Sequence, residues 1–164
     1  MNYITRCQGC FTYNTLNNSS LLFGITFAFI KDIEDVMMED KVVVRYKDKT
    51  LMKGKTSDFA SDKAVFHLWL PSGKVETVQT EDLKAVFMVE TLEGNKNYTC
   101  TYKDFIPWGG HKIKVEFIDG EVMIGYTPYY PEGNKNFFIT PADLQCNNKK
   151  VYVVNSATKH IYFL

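Results

Sequence analysis

Apolar and polar residues alternate along two stretches of the chain, at the period of two that puts one set of side chains on a single face of a β-strand. Residues 42–46 alternate in this way, and residues 113–118 do so more clearly. Asp119-Gly120 follows the second stretch and favours a tight hairpin turn, and Asp48-Lys49 holds the same place after the first. The pattern predicts a β-hairpin at each place.

The two hairpins belong to an internal repeat, in which residues 41–69 and 112–140 align without a gap. After a short insertion in the second copy around 141–148, the copies realign. The matched pairs there are Val78 with Val153, Lys84 with Lys159, Val86 with Ile161, and Phe87 with Tyr162. We call residues 41–89 the N-terminal repeat and residues 112–164 the C-terminal repeat. Each is too short to bury much surface alone, so we expect the two to pack together.

Each repeat is predicted to form five short strands. The third to fifth strands are expected at 65–70, 75–80 and 85–90, and at 136–140, 151–155 and 160–164. Gly54 and Gly125 lie inside the second strands, where glycine marks a bulge, a bend or a close backbone approach. The pattern predicts a mainly all-β fold of two tandem five-stranded small antiparallel barrels, which would hide their own edges. The alternative is a pair of flat β-meanders, in which one face of each sheet would be exposed to solvent.

The first forty residues form an N-terminal extension with a different pattern. Residues 1–20 are polar and are expected to be loose, whereas residues 21–30 are apolar but too short to cross a bilayer. This run lacks the basic start and small-residue cleavage pattern of a secretory signal. We favour a helix that continues to about Met38 and covers a barrel opening. Translation from Met37 or Met38 is a second interpretation.

Four segments of the chain resemble an uncharacterised bacterial family that is built from two small β-barrel units. They are VVVRYKDKTLMKGKT, DLKAVFMVETLEGN, IKVEFIDGEVMIGYT and VYVVNSATKHIYFL, and the resemblance covers about residues 40–164. More distantly, each repeat resembles an Sm-like or SH3-like barrel, with a charged turn after the first strand and a glycine in the second. The family resemblance implies no established activity. The RNA-binding loop residues of Sm-like proteins have no match at Asp58-Phe59, at Tyr129-Tyr130 or before the last strands.

The charge balance and the motif content disfavour several functions. Nineteen basic and nineteen acidic residues give zero formal charge, so the chain lacks the positive field on which nucleic-acid binders rely. No phosphate-binding loop, dinucleotide fingerprint or zinc-protease motif is found, and the histidines suggest no catalytic triad. We therefore expect no catalytic residues, no metal and no cofactor. Cys7 and Cys10 lack partner ligands, and Cys100 and Cys146 are expected to be reduced thiols of a cytoplasmic protein.

Large aromatic residues outside the strand pattern are the best candidates for a binding surface. Tyr126, Tyr129, Tyr130 and Trp108 are the candidate ligand-binding residues. Trp108 and Phe105 lie in the linker 90–111, where they are also expected to hold the repeats together. The sequence predicts a non-enzymatic cytoplasmic binding or adaptor module whose partner is a protein. Single-stranded RNA binding is the alternative, and self-association is left open.

Overall fold

The computed structural model describes residues 39–129, 133 and 135–164. These residues form an all-β domain, as the sequence predicts. Its ten strands are β1 (Asp40–Tyr46), β2 (Leu51–Thr56), β3 (Val65–Trp69), β4 (Val75–Gln79), β5 (Leu83–Val89), β6 (His111–Phe117), β7 (Val122–Thr127), β8 (Phe137–Pro141), β9 (Asn148–Val153) and β10 (Thr158–Phe163). Short 3-10 turns at Thr80–Asp82 and Asn155–Ala157 precede β5 and β10. The expected N-terminal helix and the cysteines Cys7 and Cys10 lie outside the described residues.

All ten strands belong to one antiparallel sheet in the order β10-β6-β7-β8-β9-β5-β1-β2-β3-β4. Within each repeat the order is the same, with the fifth strand beside the first and the fourth strand at the far end. The two repeats join where β5 pairs with β9. Closure into two separate barrels is not found. Because β9 occupies the edge of β5, the fourth and fifth strands of one repeat do not pair with each other.

The hydrophobic cores cross this junction. One cluster combines Ala85, Phe87 and Val89 of β5 with the inner side chains of the C-terminal repeat. The other combines the inner side chains of the N-terminal repeat with Tyr152 of β9 and Val154. Neighbouring side chains of a strand point to opposite faces, so β5 contributes one face to each cluster. Neither core is complete without residues of the other repeat.

Gly54 and Gly125 occupy equivalent places in β2 and β7. A Cβ atom at Gly54 would lie 2.4 Å from the Trp69 carbonyl oxygen, and one at Gly125 would lie 2.3 Å from that of Thr140. Both distances are far below van der Waals contact. The close backbone approach, one of the three explanations expected for these glycines, is therefore found in both repeats.

Cys100 and Cys146 form a disulfide, with a Cα–Cα distance of 5.7 Å. The expectation that these two cysteines are reduced thiols is wrong for this structure. It failed because the linker and the β8–β9 loop are far apart in sequence and the fold brings them together. In the described part of the chain, no helix has the length and apolar character needed to cross a bilayer.

Candidate functional site

The linker between β5 and β6 is held against the β8–β9 loop by the carboxylate of Asp143. The Tyr98 hydroxyl donates to Asp143 Oδ1 at 2.8 Å, and the Thr101 N–H donates to Oδ2 at 2.7 Å. Gln145 N–H adds a bond to Oδ1 at 3.1 Å. Burial raises the pKa of Asp143, but the hydrogen bonds from Thr101, Tyr98 and Gln145 outweigh it and leave the pKa below its ordinary value. An ionised Asp143 thus fixes the course of the linker.

Further contacts continue this attachment on both sides. Asn147 accepts the Thr91 N–H at 3.0 Å and returns a bond from its amide to the Thr91 carbonyl. The Cys100–Cys146 disulfide lies in the same segment. Asp104 accepts the Leu144 N–H at 2.7 Å. The linker is therefore part of the folded body of the C-terminal repeat.

A small apolar cluster of Ile106, Tyr126 and Ala142 forms beyond these contacts. Gly109 packs so closely on Tyr126 that a Cβ there would lie 2.5 Å from the Tyr126 Cβ. Gly110 has a φ of +83°, in the left-handed region that glycine adopts without strain. These two glycines bring the end of the linker onto the end of β7. Both glycines therefore have a packing role as well as a role in the turn.

Three aromatic side chains extend from this base, and we call them the aromatic patch: Phe105, Trp108 and Tyr129. Their exposed fractions are 75%, 79% and 80%. The Phe105 ring lies 6.3 Å from the Tyr126 ring in an edge-on arrangement. The Thr127 hydroxyl donates to the Tyr129 carbonyl oxygen at 2.9 Å and fixes the backbone at the end of β7. The patch thus combines exposed rings with an ordered backbone.

The predicted site residues therefore play different parts. Trp108 and Tyr129 are exposed. Tyr126 is only 4% exposed and packs in the apolar cluster with Ile106, against Gly109 next to Trp108. Tyr130 lies outside the described residues. Phe105 and Trp108 were expected to hold the repeats together, but their exposure contradicts this. The buried side chain that anchors this part of the linker is Ile106, and the larger rings of Phe105 and Trp108 remain exposed to solvent.

The junction between the repeats contains an ionic network that sequence reasoning missed. The side chain of Lys84 is 4% exposed, and its Nζ lies 2.6 Å from Asp119 Oδ2 and also contacts Glu121. Arg45 Nη1 binds the same Glu121 at 2.6 Å. Burial alone would raise the pKa of Asp119. The hydrogen bond and the positive charge of Lys84 outweigh this effect, so the pKa lies below its ordinary value. The sequence feature that could have indicated this network is the lysine that recurs near the start of each fifth strand, Lys84 in β5 and Lys159 in β10.

A cleft of about 340 Å³ lies beside this network, lined by Lys47, Lys49, Lys84, Ile118, Asp119 and Ala157. Two of its cations already have protein partners. Lys84 binds Asp119, and Lys47 donates to the Glu81 carbonyl oxygen at 2.6 Å. Because these two lysines already have protein partners, we expect the cleft to attract an anionic ligand only weakly. Within the described residues there is also no group of three or more side chains placed to hold a metal ion.

The described domain matches the model of one protein family. The match is to a family of unknown function, DUF6982, and covers residues 38–164. The chain belongs to this family. No curated protein and no solved structure matches it significantly.

Proposed function

We propose that the protein is a non-enzymatic binding or adaptor module that captures an apolar segment of a partner protein on the aromatic patch. The single observation that carries this proposal is the exposure of Phe105, Trp108 and Tyr129 by three quarters or more. Large apolar surfaces exposed together on a folded domain are typical of interaction sites. Tryptophan and tyrosine are also the residues that most often dominate the energy of protein interfaces.

The attachment of the linker supports this function. Because Asp143, the Cys100–Cys146 disulfide and the Ile106 cluster order the backbone beneath the rings, binding would order fewer chain segments. A preorganised surface keeps more of its contact energy as affinity. The patch is thus suited to specific recognition.

Charge favours a protein partner over RNA, which remains the alternative. Single-stranded nucleic acids also stack on aromatic rings, but their affinity comes largely from cations that contact phosphates. Lys112 Nζ lies 5.7 Å from the centre of the Tyr126 ring, and Asp104, the neighbour of Phe105 in sequence, accepts the Leu144 N–H. Charges of both signs therefore lie near these aromatic residues, and with a formal charge of zero over the whole chain they give little attraction for a polyanion.

Photo-cross-linking in the native host tests the patch directly. A photoreactive phenylalanine analogue is placed at Trp108, and in a matched control at Ile118, which is 66% exposed but lies beside the junction cleft. We expect one protein to be captured from position 108 and not from 118. A purified form of that protein should bind at least about tenfold more weakly to Trp108→Ala, a loss typical of an interface hot spot. Equal capture from both positions would contradict the proposal.

Oligonucleotide binding at low salt separates the two candidate functions. We expect no retardation of single-stranded RNA by the wild-type protein. Salt-sensitive retardation that is lost in a Trp108→Ala, Tyr129→Ala variant would favour the RNA alternative instead.

The cytoplasmic location predicted from the sequence remains a proposal. Its original reason was reduced cysteines, and the Cys100–Cys146 disulfide removes that reason, because such bonds persist mainly in oxidising compartments. Fractionation of native cells, followed by thiol labelling of the recovered protein, tests both the location and the oxidation state.

A further inference from the structure

We propose that copies of this chain assemble head to tail, with β10 of one copy paired to β4 of the next. The two strands are the ends of the sheet, and within the described residues each pairs with only one neighbour. Their partners are β6 and β3, respectively. The pairing we propose would repeat between molecules the β5–β9 junction that joins the repeats inside one molecule.

The correspondence of the strands carries this proposal. By sequence, β10 matches β5 and β4 matches β9, through the pairs Ile161 with Val86 and Val78 with Val153. The register irregularities match as well. Lys84 is skipped where β5 pairs with β1, between Leu83 and Ala85, and Lys159 is skipped in the same place where β10 pairs with β6. Each chain therefore carries both halves of a junction that it already forms once.

The internal junction defines a register for the external one. Inside the chain, Val86 lies opposite Tyr152 and Phe87 opposite Val151. The matching residues place Ile161 opposite Thr77 of the next copy, and Tyr162 opposite its Glu76. These pairs give the proposal a specific geometry.

The direction of the backbone groups agrees with this register. The Leu70 N–H bonds to the Lys74 carbonyl, and the Thr80 N–H bonds to the Ala64 carbonyl, so even-numbered residues of β4 face β3. Since such bonds alternate along an antiparallel strand, the N–H of Thr77 points to the open edge. The Leu164 N–H bonds to the Lys112 carbonyl in the same way, so the N–H of Ile161 also points outward. The proposed register thus pairs two outward-facing residues.

Side chains of β10 are more exposed than the matching side chains of β5, as expected if the edge of β10 still lacks its partner strand. Phe87 is 4% exposed in the internal junction, whereas the matching Tyr162 is 42% exposed. Val89 is 8% exposed, and the matching Leu164 is 65% exposed. Lysine and proline commonly protect a sheet edge, and both are absent from β4 and from residues 160–163 of β10; the one charged residue of β4 is Glu76.

The ionic network has a counterpart at the ends. Lys84 and Asp119 pair across the internal junction, and they match Lys159 and Asp48 in the repeat alignment. Lys159 now lies 3.5 Å from Glu116, with its side chain 57% exposed. In the assembly, Lys159 would meet Asp48 of the next copy. A second copy of this chain therefore fits the two edges in hydrogen bonding, apolar burial and charge.

Two variants, each blocking one edge, test the proposal by sedimentation. Thr77→Pro removes an outward N–H of β4 and keeps the bonds to β3. Tyr162→Glu places a carboxylate opposite Glu76 of the next copy, and within its own chain leaves it near Lys114, whose Nζ is 4.4 Å from the Tyr162 ring. Thr77→Val and Tyr162→Phe are the matched controls.

We expect the wild type and both controls to sediment at multiples of 18.9 kDa, and each blocking variant to be a monomer. A mixture of the two blocking variants should form a dimer of about twice that mass, because each retains the edge that the other lacks. A monomeric wild type, or folded variants that do not combine, would overturn the proposal. So would a single variant that still dimerises, because this indicates pairing of like edges.

Two further measurements keep the test decisive. If Thr77→Pro does not fold, Lys159→Glu should disperse the assembly and the addition of Asp48→Lys should restore it; dispersal without restoration counts against the proposal. Hydrogen exchange should show slow amides at Thr77 and Ile161 in the wild type and fast ones in Tyr162→Glu. Slow exchange at both amides in a monomer would instead mean that another part of the same chain covers the edges.

Discussion

The fifth strands of the two repeats, β5 and β10, have matching sequences and different surroundings. Six of the seven residues of β5 are buried, since β1 and β9 flank it and both cores use its side chains. No residue of β10 is buried, because only β6 lies beside it. Two strands with matching sequences thus differ in burial because they have different neighbours, so burial here is decided by position in the sheet.

Truncation of matched aromatic residues should sharpen this contrast most strongly. Phe87→Ala empties a site inside the core and should lower the free energy of unfolding by about 4 kcal/mol. Tyr162→Ala, at the matching position, should lower it by less than about 1 kcal/mol. Denaturant unfolding measures both, in a Thr77→Pro background that keeps the proposed assembly from contributing. Similar losses at the two positions would mean that β10 is covered in solution.

Lysines 84 and 159 offer the second contrast. Lys84→Ala leaves Asp119 and Glu121 without their buried cation, and should destabilise the domain by about 3 kcal/mol. Lys159→Ala removes an exposed contact to Glu116 and should change stability by no more than about 0.5 kcal/mol. The same unfolding assay and background apply. If Lys84→Ala were as harmless as Lys159→Ala, the network would be incidental to the junction.

The turns before the fourth strands give a third contrast, because only the C-terminal one is tied to the linker. Asp143→Ala removes the acceptor for Thr101, Tyr98 and Gln145, and should cost about 2 kcal/mol. Ser72→Ala, in the turn before β4, should stay within about 0.5 kcal/mol. Thermal unfolding suffices for this pair. An unaffected Asp143→Ala variant would show that the disulfide alone holds the linker.

Much of the fold could be predicted from the sequence because period-two alternation and turn residues act locally. The hairpin at Asp119-Gly120 and the close approach at Gly54 and Gly125 are examples. The pairing of β5 with β9 could not be predicted, since an apolar fifth strand fits equally well beside its own fourth strand or beside that of the other repeat. Choosing between them needs the three-dimensional path of the linker.

The candidate site was predicted in part for a similar reason. Large aromatic residues outside the strand pattern were the predicted binding residues, and two of them, Trp108 in the linker and Tyr129 after β7, are exposed. Sequence could not distinguish the buried Tyr126 from its exposed neighbour Tyr129, because the difference depends on Gly109 packing against one ring. The disulfide was missed because its two cysteines lie in segments without a regular pattern.

The aspartates of the first turns give the smallest contrast, which depends on pH. The pKa of Asp119 is lowered because Lys84 and the Glu121 N–H outweigh the effect of its burial, and that of Asp48 is lowered mainly by the Thr50 hydroxyl. A carboxyl with a lowered folded pKa stabilises the native state fully above its unfolded pKa of about 4, and loses this contribution as the pH falls through the folded pKa.

Asp119→Asn should therefore be less stable than wild type at pH 7, and this gap in the free energy of unfolding should close below about pH 4. All variants are compared in the Thr77→Pro background, so that no neighbouring copy brings Lys159 to Asp48. The gap for Asp48→Asn should then be smaller because no buried cation faces Asp48 within its own chain, and Lys84→Met should reduce the Asp119→Asn gap towards that of Asp48→Asn. A gap for Asp119→Asn that is unchanged between pH 7 and pH 3 would show that its charge contributes nothing to the junction.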